Sequence, residues 1–311
     1  MQRKKIAVIG GGQIGSIIAL MSTQRELGDV TLVDLPEFLN PVRGKTLDID
    51  QLRPHISADV TLRATSDYAE ISDADVVVVT AGVPRRPNMS REDLRMINIE
   101  IVQGVAEQIK RHCPTAFVIV ATNPVDTMAY VFHKVAGFPK NRVVGLSGAL
   151  DTGRFQSFIA AETGLSVKDV SCMVIGGHGP TMVPLVSTAS VAGIAITDLL
   201  SGAQIDAIVQ RTKEAGTEIV NLLGNGSAYF SSAGSIMEMI EAFLGDKKRV
   251  ISSSALCEGE YGVTGYFLGV PVVIGANGVE RVLQASLNPA EREALAETAR
   301  AVIASVHNSG I

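Results

Sequence analysis

The chain has 311 residues, of which 46% are hydrophobic and 19% charged, with a net charge of −5 and three cysteines. That balance suits a folded protein large enough for two domains and excludes a disordered chain. No Lys/Arg block favours nucleic acid and no apolar run is long enough for a membrane span or a secretion signal, while the scattered Cys113, Cys172 and Cys257 read as reduced thiols of a cytoplasmic protein.

In chain order, Ile6–Ile9 predicts a strand, Ile14–Leu27 a helix and Val30–Val33 a second strand. Further apolar runs follow at Val76–Val79, Phe117–Val120 and Arg142–Val144. These runs are continuously apolar rather than alternating, as in parallel strands covered by helices on both faces. Pro114, Pro124 and Pro139 punctuate the boundaries. The expected fold is α/β, with a Rossmann-type doubly wound parallel sheet over residues 1–148. Residues 149–311 change character: helices over Gln204–Leu223 and Ser227–Leu244, a β-rich block over Arg249–Val273, and a last helix opened by Asn288-Pro289. This half is expected to be an α+β substrate-binding and catalytic domain. No Gly/Ser-rich or Pro-rich linker separates the halves, so an extensive shared interface is expected.

Gly10-Gly11-Gly12-Gln13-Ile14-Gly15 contains Gly-x-Gly-x-x-Gly between the first strand and the first helix. Such a glycine turn is uninformative in isolation, but its placement makes it a dinucleotide fingerprint. Gly10 permits the tight turn, Gly12 lets the main chain approach a pyrophosphate, and Gly15 allows the helix to pack closely. The helix N-terminus then offers free N–H groups to the phosphates. Asp34 ends the second strand, about twenty residues on, where its carboxylate accepts from both ribose hydroxyls and repels a 2′-phosphate. Leu35 and Pro36 follow with no adjacent arginine, which favours NAD over NADP.

The Val76 strand leads into a loop carrying Arg85, Arg86 and Arg91. Carboxyl ends of strands face the ligand crevice in an open α/β sheet, so three arginines there suggest anion recognition. Taken alone, the loop fits a solvated basic segment equally well. Asn98 lies seven residues beyond Arg91, on nearly the same helix face and within reach of the cofactor. Asn123, in Ala121-Thr122-Asn123-Pro124, sits at another strand terminus. It serves a substrate oxygen or the nicotinamide ribose there, or simply makes an ordinary Asn-Pro turn.

Two segments carry the chemistry: Ala149-Leu150-Asp151-Thr152-Gly153-Arg154-Phe155 and Ile175-Gly176-Gly177-His178-Gly179. A proton-shuttling histidine needs a fixed tautomer, which a carboxylate on its far nitrogen supplies. Arg154 stands about one helical turn beyond Asp151 and can hold a carboxylate through two parallel hydrogen bonds. His55, His112, His133 and His307 lack such glycine flanks. Cys172 lies six residues before His178, but one thiol and one imidazole make too few ligands, so no metal is expected.

On these motifs, together with Val8–Gly15 and Leu256-Cys257-Glu258-Gly259-Glu260-Tyr261-Gly262, the chain resembles the lactate/malate dehydrogenase family. Within it the resemblance is to the malate dehydrogenases of lactate-dehydrogenase-like type found in prokaryotes. The resemblance implies reversible, NAD-dependent oxidation of (S)-malate to oxaloacetate. It makes His178 the proton acceptor in malate oxidation, Asp151 its orienting partner, and Arg154 the clamp on the carboxylate next to the reacting carbon. Arg91 would polarise the ketone oxygen and Asn123 would bond the substrate. Cofactor contacts would come from Gly10, Gly11, Gly12, Gln13, Ile14, Gly15, Asp34, Asn98, Ala121, Thr122 and Asn123. Arg85 falls where malate enzymes place arginine and lactate enzymes typically glutamine, with Arg86 secondary. Oxaloacetate brings a second carboxylate that needs a cation in a closed site, whereas pyruvate would leave Arg85 unpaired. A lactate or other 2-hydroxyacid dehydrogenase is thereby disfavoured. An NAD-dependent glycoside hydrolase would need a metal, and a non-enzymatic NAD-sensing module would leave the arginines unexplained. The family also implies a homodimer or homotetramer. Two departures from its pattern, Pro180 in place of aspartate and Asn88 in place of glycine, bear on the bonding around His178 and on loop closure.

Overall fold

The computed structural model describes residues 3–83, 91–224 and 226–311, and of Arg91 the main chain alone. Arg85, Arg86, Asn88 and the Arg91 side chain lie outside the described residues.

Six short strands form the first half: β1 (Lys5–Ile9), β2 (Asp29–Val33), β3 (Leu62–Thr65), β4 (Val76–Val79), β5 (Phe117–Val120) and β6 (Val143–Gly145). They lie parallel in the order β3-β2-β1-β4-β5-β6, the doubly wound arrangement. Every residue of β4 and β5 is buried, and the two-residue period of a strand divides them between two cores. Val76, Val78, Phe117 and Ile119 join Ile18 of α1 (Gln13–Gln24) and Val42 and Ile49 of α2 (Leu39–Ile56). Val77, Val79, Val118 and Val120 join Val102, Ala106 and Ile109 of α3 (Arg91–His112) and Met128 and Phe132 of α4 (Val125–Ala136). Helices on both faces are why these strands read as unbroken apolar runs.

The second half begins with α5 (Gly148–Thr163) and a set of two-residue strands: β7 (Val170–Ser171), β8 (Val174–Ile175), β9 (Val183–Pro184), β10 (Ser190–Val191) and β11 (Ile194–Ala195). Helices α6 (Ile196–Leu199), α7 (Gly202–Leu223) and α8 (Phe230–Leu244) follow, then strands β12 (Arg249–Glu258), β13 (Thr264–Gly275) and β14 (Gly278–Val282), and finally α9 (Pro289–His307). Asn288 caps α9 in a reciprocal capping box with Glu291. Strand β12 runs antiparallel beside β6, with Ser254 opposite Gly145, so β12, β13 and β14 extend the parallel sheet to nine strands. The two halves therefore share a sheet, and they share a core. Ala233, Ile236 and Ile240 of α8 enter the same cluster as Ile18, and Phe117 stacks on Phe243 with ring centroids 4.6 Å apart.

Several expected bounds shift. Helix α1 stops at Gln24 rather than Leu27, and α8 starts at Phe230 rather than Ser227. The expected strand Arg142–Val144 is Val143–Gly145. Strands β3 and β14 and helix α2 have no counterpart in the sequence reading. Strand β3 sits at the sheet edge with Arg63 exposed, so it presents no apolar run.

Candidate active site

The fingerprint turn leaves β1 at Ile9, and the Gly10 N–H donates to the Val33 carbonyl at 2.8 Å. A Cβ on Gly15 would collide with the Gly10 carbonyl oxygen, which is the close helix-on-strand approach that glycine permits. At Gly12 a Cβ would meet nothing within 4 Å, so the main chain there faces open space. Gly12 is the N-cap of α1 and no side chain caps the helix, which keeps its first N–H groups for a ligand. Asp34 is held in place by main chain, with Oδ2 accepting from Gly11 N at 2.7 Å and Oδ1 from Leu35 N at 2.8 Å. Gly10, Gly11, Gly12, Asp34, Thr80 to Val83 and Gly104 border a cavity of about 660 Å³. Open glycine backbone, an uncapped helix and a carboxylate at the cavity wall fit a dinucleotide. The chain neighbours of Asp34 carry no cation, but α2 brings one to this cavity from farther along the sequence. Lys45 on α2 borders the same cavity, its ammonium donating to the Gly11 carbonyl at 2.9 Å.

Asn98 is 1% exposed and its amide is spent on main chain. Val83 N donates to Oδ1 at 2.9 Å, and Nδ2 donates to the Asn123 carbonyl at 2.8 Å. The side chain thereby ties two strand-end loops together beside the glycine-turn cavity. Thr122 makes a similar tie, Oγ1 donating to the Ala81 carbonyl at 2.6 Å. Ala121, Asn123 and Ile14 border a second cavity of about 300 Å³, while Gln13 is exposed at the start of α1.

That second cavity holds His178 and Arg154. Strand β8 ends at Ile175, and Gly176 turns the chain with φ +88°; its Cβ would stand 2.7 Å from Thr298 Cγ2 of α9. Gly177 N donates to Thr298 Oγ1 at 3.1 Å, and His178 N donates to Asp126 Oδ2 at 3.2 Å. Asp151, on the first turn of α5 and 1% exposed, bridges the other two groups. Its Oδ1 accepts from Arg154 Nη1 at 2.9 Å and its Oδ2 lies 2.7 Å from His178 Nδ1. With Nδ1 engaged, Nε2 is the nitrogen left for proton exchange. Burial alone would lower the imidazole pKa. The charge and hydrogen bond of Asp151 outweigh it, with Arg154 opposing and Asp126 adding, so the pKa lies above the ordinary 6.5.

Pro180 stands at the exposed rim of this cavity. The bonding around His178 comes instead from Asp151, Asp126 and Thr298, and Thr181 Oγ1 lies 2.8 Å from Thr298 Oγ1. Among the described residues no group of three His, Cys, Asp or Glu is placed to hold a metal. Burial pushes the Cys172 thiol up to about 12, so it stays protonated at neutral pH. A larger groove, about 860 Å³ between α5, α7, α8 and β12, contains neither His178 nor the glycine turn. Size alone misplaces the site; the titratable cluster locates it.

Three contributors went unread in the sequence: Asp126, Thr298, and Lys213 on the stripe of α7 (Lys213, Gly216, Thr217, Val220) that borders the cavity. The α7 stripe repeats at helical spacing, a signal that was available. Nothing local marks Asp126 or Thr298.

The family model of the lactate/malate dehydrogenase NAD binding domain matches residues 4–145, and that of the lactate/malate dehydrogenase alpha/beta C-terminal domain matches residues 148–308. The chain belongs to the lactate/malate dehydrogenase family. As a member of it, the chain is an oxidoreductase that uses NAD. A relative named malate dehydrogenase 1 from Anaeromyxobacter dehalogenans is 55% identical over 98% of this chain and 98% of its own. A malate dehydrogenase structure from Cryptosporidium parvum superposes with a TM-score of 0.96 at 41% identity, covering 99% of each chain. A lactate dehydrogenase from the same organism, solved with lactic acid and nicotinamide adenine dinucleotide, gives 0.95 at 43% identity over 99% of this chain and 98% of that one. No helix among the described residues is long and apolar enough to cross a membrane.

Proposed function

We propose that this family member interconverts (S)-malate and oxaloacetate, with residues 1–148 holding NAD and residues 149–311 supplying the proton chemistry. The observation that carries this reading is the buried Asp151 carboxylate, bonded at once to His178 Nδ1 and to Arg154 Nη1 in a cavity shared with Asn123. NAD, when bound on the glycine turn, supplies the acceptor for the hydride that leaves C2 of malate. His178 takes the hydroxyl proton on Nε2, and Asp151 holds the tautomer and stabilises the imidazolium that forms. Arg154 keeps one nitrogen on Asp151 and offers its remaining donors to the carboxylate beside the reacting carbon. In the reverse direction protonated His178, with Arg91, stabilises charge on the carbonyl oxygen. Asn123 adds an amide at the cavity wall, which suits a substrate oxygen or the nicotinamide ribose.

The overall fold does not separate malate from lactate, since a malate and a lactate dehydrogenase superpose almost equally well. The sequence does. The Anaeromyxobacter relative is a malate dehydrogenase at 55% identity, and Arg85 supplies the cation that a second carboxylate requires. We place this enzyme in the cytoplasm as a homodimer or homotetramer. The apolar Leu47, Leu222 and Phe230, each more than half exposed, supply surface for such an assembly.

The test is NADH oxidation with oxaloacetate and pyruvate at equal concentration. A charge-assisted bond of about 1.5–3 kcal/mol predicts a kcat/KM preference of about 10- to 150-fold for oxaloacetate, collapsing in Arg85→Gln. Equal rates in the wild type would overturn the substrate assignment, and an unchanged ratio in the variant would remove Arg85 from the specificity role.

A further inference from the structure

Asp126 is only 6% exposed, yet no step above uses it. It sits on the first turn of α4, two residues beyond the Asn123-Pro124 bond, where a helix N-terminus favours negative charge. Both its oxygens are engaged. Oδ1 accepts from Ser254 Oγ of β12 at 2.6 Å, and Oδ2 accepts from the His178 N–H at 3.2 Å. A Cβ on Gly177 would lie 3.7 Å from the same Oδ2. The start of α4, the histidine turn and β12 therefore meet on one carboxyl group.

A neutral asparagine would satisfy these two partners: its carbonyl would accept from His178 N and its amide would donate to Ser254 Oγ. Asparagine would also escape the cost of burying a charge. What a carboxylate adds is negative potential, and the titratable group it faces is the imidazole. We propose that Asp126 is a positioning residue for proton transfer, a second carboxylate that anchors the His178 main chain and favours the imidazolium while Asp151 holds the ring.

The charged groups around His178 among the described residues are Asp151 and Arg154 from α5, Asp126 from α4, and Lys213 from α7 across the cavity. Arg154 disfavours a positive ring; the two aspartates favour it. Burial pushes the Asp126 carboxyl above its ordinary value, with Asp151 adding to that, while the donors from Ser254 and the His178 amide and the charge of an imidazolium oppose it, so the ionised form is favoured most when His178 is protonated. The inference rests on His178 as the proton-transfer group, so its test reads the imidazole and the reaction separately.

In the full-length enzyme bound to NADH, the His178 imidazole is titrated by NMR, its signal assigned by loss in His178→Asn. The pH profile of kcat/KM for oxaloacetate is recorded in parallel. In Asp126→Asn the imidazole midpoint should fall by about half to one pH unit. The loss of oxaloacetate reduction on raising pH should move down with it, and NADH affinity should stay within about twofold of wild type, a pattern that lost packing alone does not produce. If Asp126→Asn fails to fold, Ser254→Ala, which removes one donor from the carboxylate, should move the midpoint the same way by less. An unmoved imidazole midpoint in the folded variant overturns the proposal. A midpoint that moves while the rate profile does not overturns the reading of His178 on which it rests.

Discussion

The two cavities are built by opposite means. The cofactor cradle is built from main chain: the Gly10–Gly12 turn, the uncapped start of α1, and Asp34 held by the Gly11 and Leu35 amides. The catalytic cavity is built from buried ionisable side chains, with Asp151, Arg154 and His178 in one hydrogen-bonded row and Asp126 behind the histidine's amide. Main-chain amides have no pKa near neutrality, so binding at the cradle is indifferent to proton concentration in that range. Buried ion pairs are sensitive both to pH and to the loss of a single partner. A dehydrogenase needs both properties, because the same cofactor grip must serve both protonation states of the histidine.

The largest expected effect separates the two regions outright. His178→Asn should lower oxaloacetate reduction by about 10²–10⁴-fold, the range general acid–base catalysis supplies, while NADH binding by fluorescence titration stays intact. Equal loss of both would mean that the imidazole serves the cofactor site.

Gly15→Ala attacks the other region. The added Cβ meets the Gly10 carbonyl, so the turn has to move; stability should fall by about 1–3 kcal/mol and NADH affinity by roughly tenfold. Thermal unfolding and NADH titration read these, and the pH midpoint of whatever turnover remains should stay that of wild type. A shifted midpoint would show that the two regions are not independent.

How far the sequence reveals each region follows from the same contrast. The cradle is legible because glycine is the chemical requirement of a turn and a close approach, and its spacing is local. The Asp151–Arg154 pair is legible because helical spacing places both on one side of α5, and two glycines mark the turn that brings His178 to them. Asp126 is not legible, since it lies 52 residues from His178 and only the packing of α4 against β12 joins them. The position of Asn98 on α3 follows from helical spacing, whereas its hydrogen bonds to Val83 and Asn123 depend on where two loops end. In the fold, the parallel strands announced themselves by double-sided burial, while edge strand β3, with Arg63 exposed, did not. The continuation of the sheet through β12 was hidden because β6 and β12 are separated by more than a hundred residues.

The most direct measurement follows NADH affinity and single-turnover oxaloacetate reduction on the wild-type enzyme across the same pH series. On the proposed mechanism reduction needs the imidazolium, whose pKa is raised above 6.5 by Asp151 against the cost of burial. Reduction should therefore hold at low pH and fall as pH rises through that elevated value, while malate oxidation rises over the same interval and NADH affinity stays flat. A reduction rate that ignores pH there, or an NADH affinity that falls in step with it, would contradict the division between a main-chain cradle and a titrating catalytic cavity.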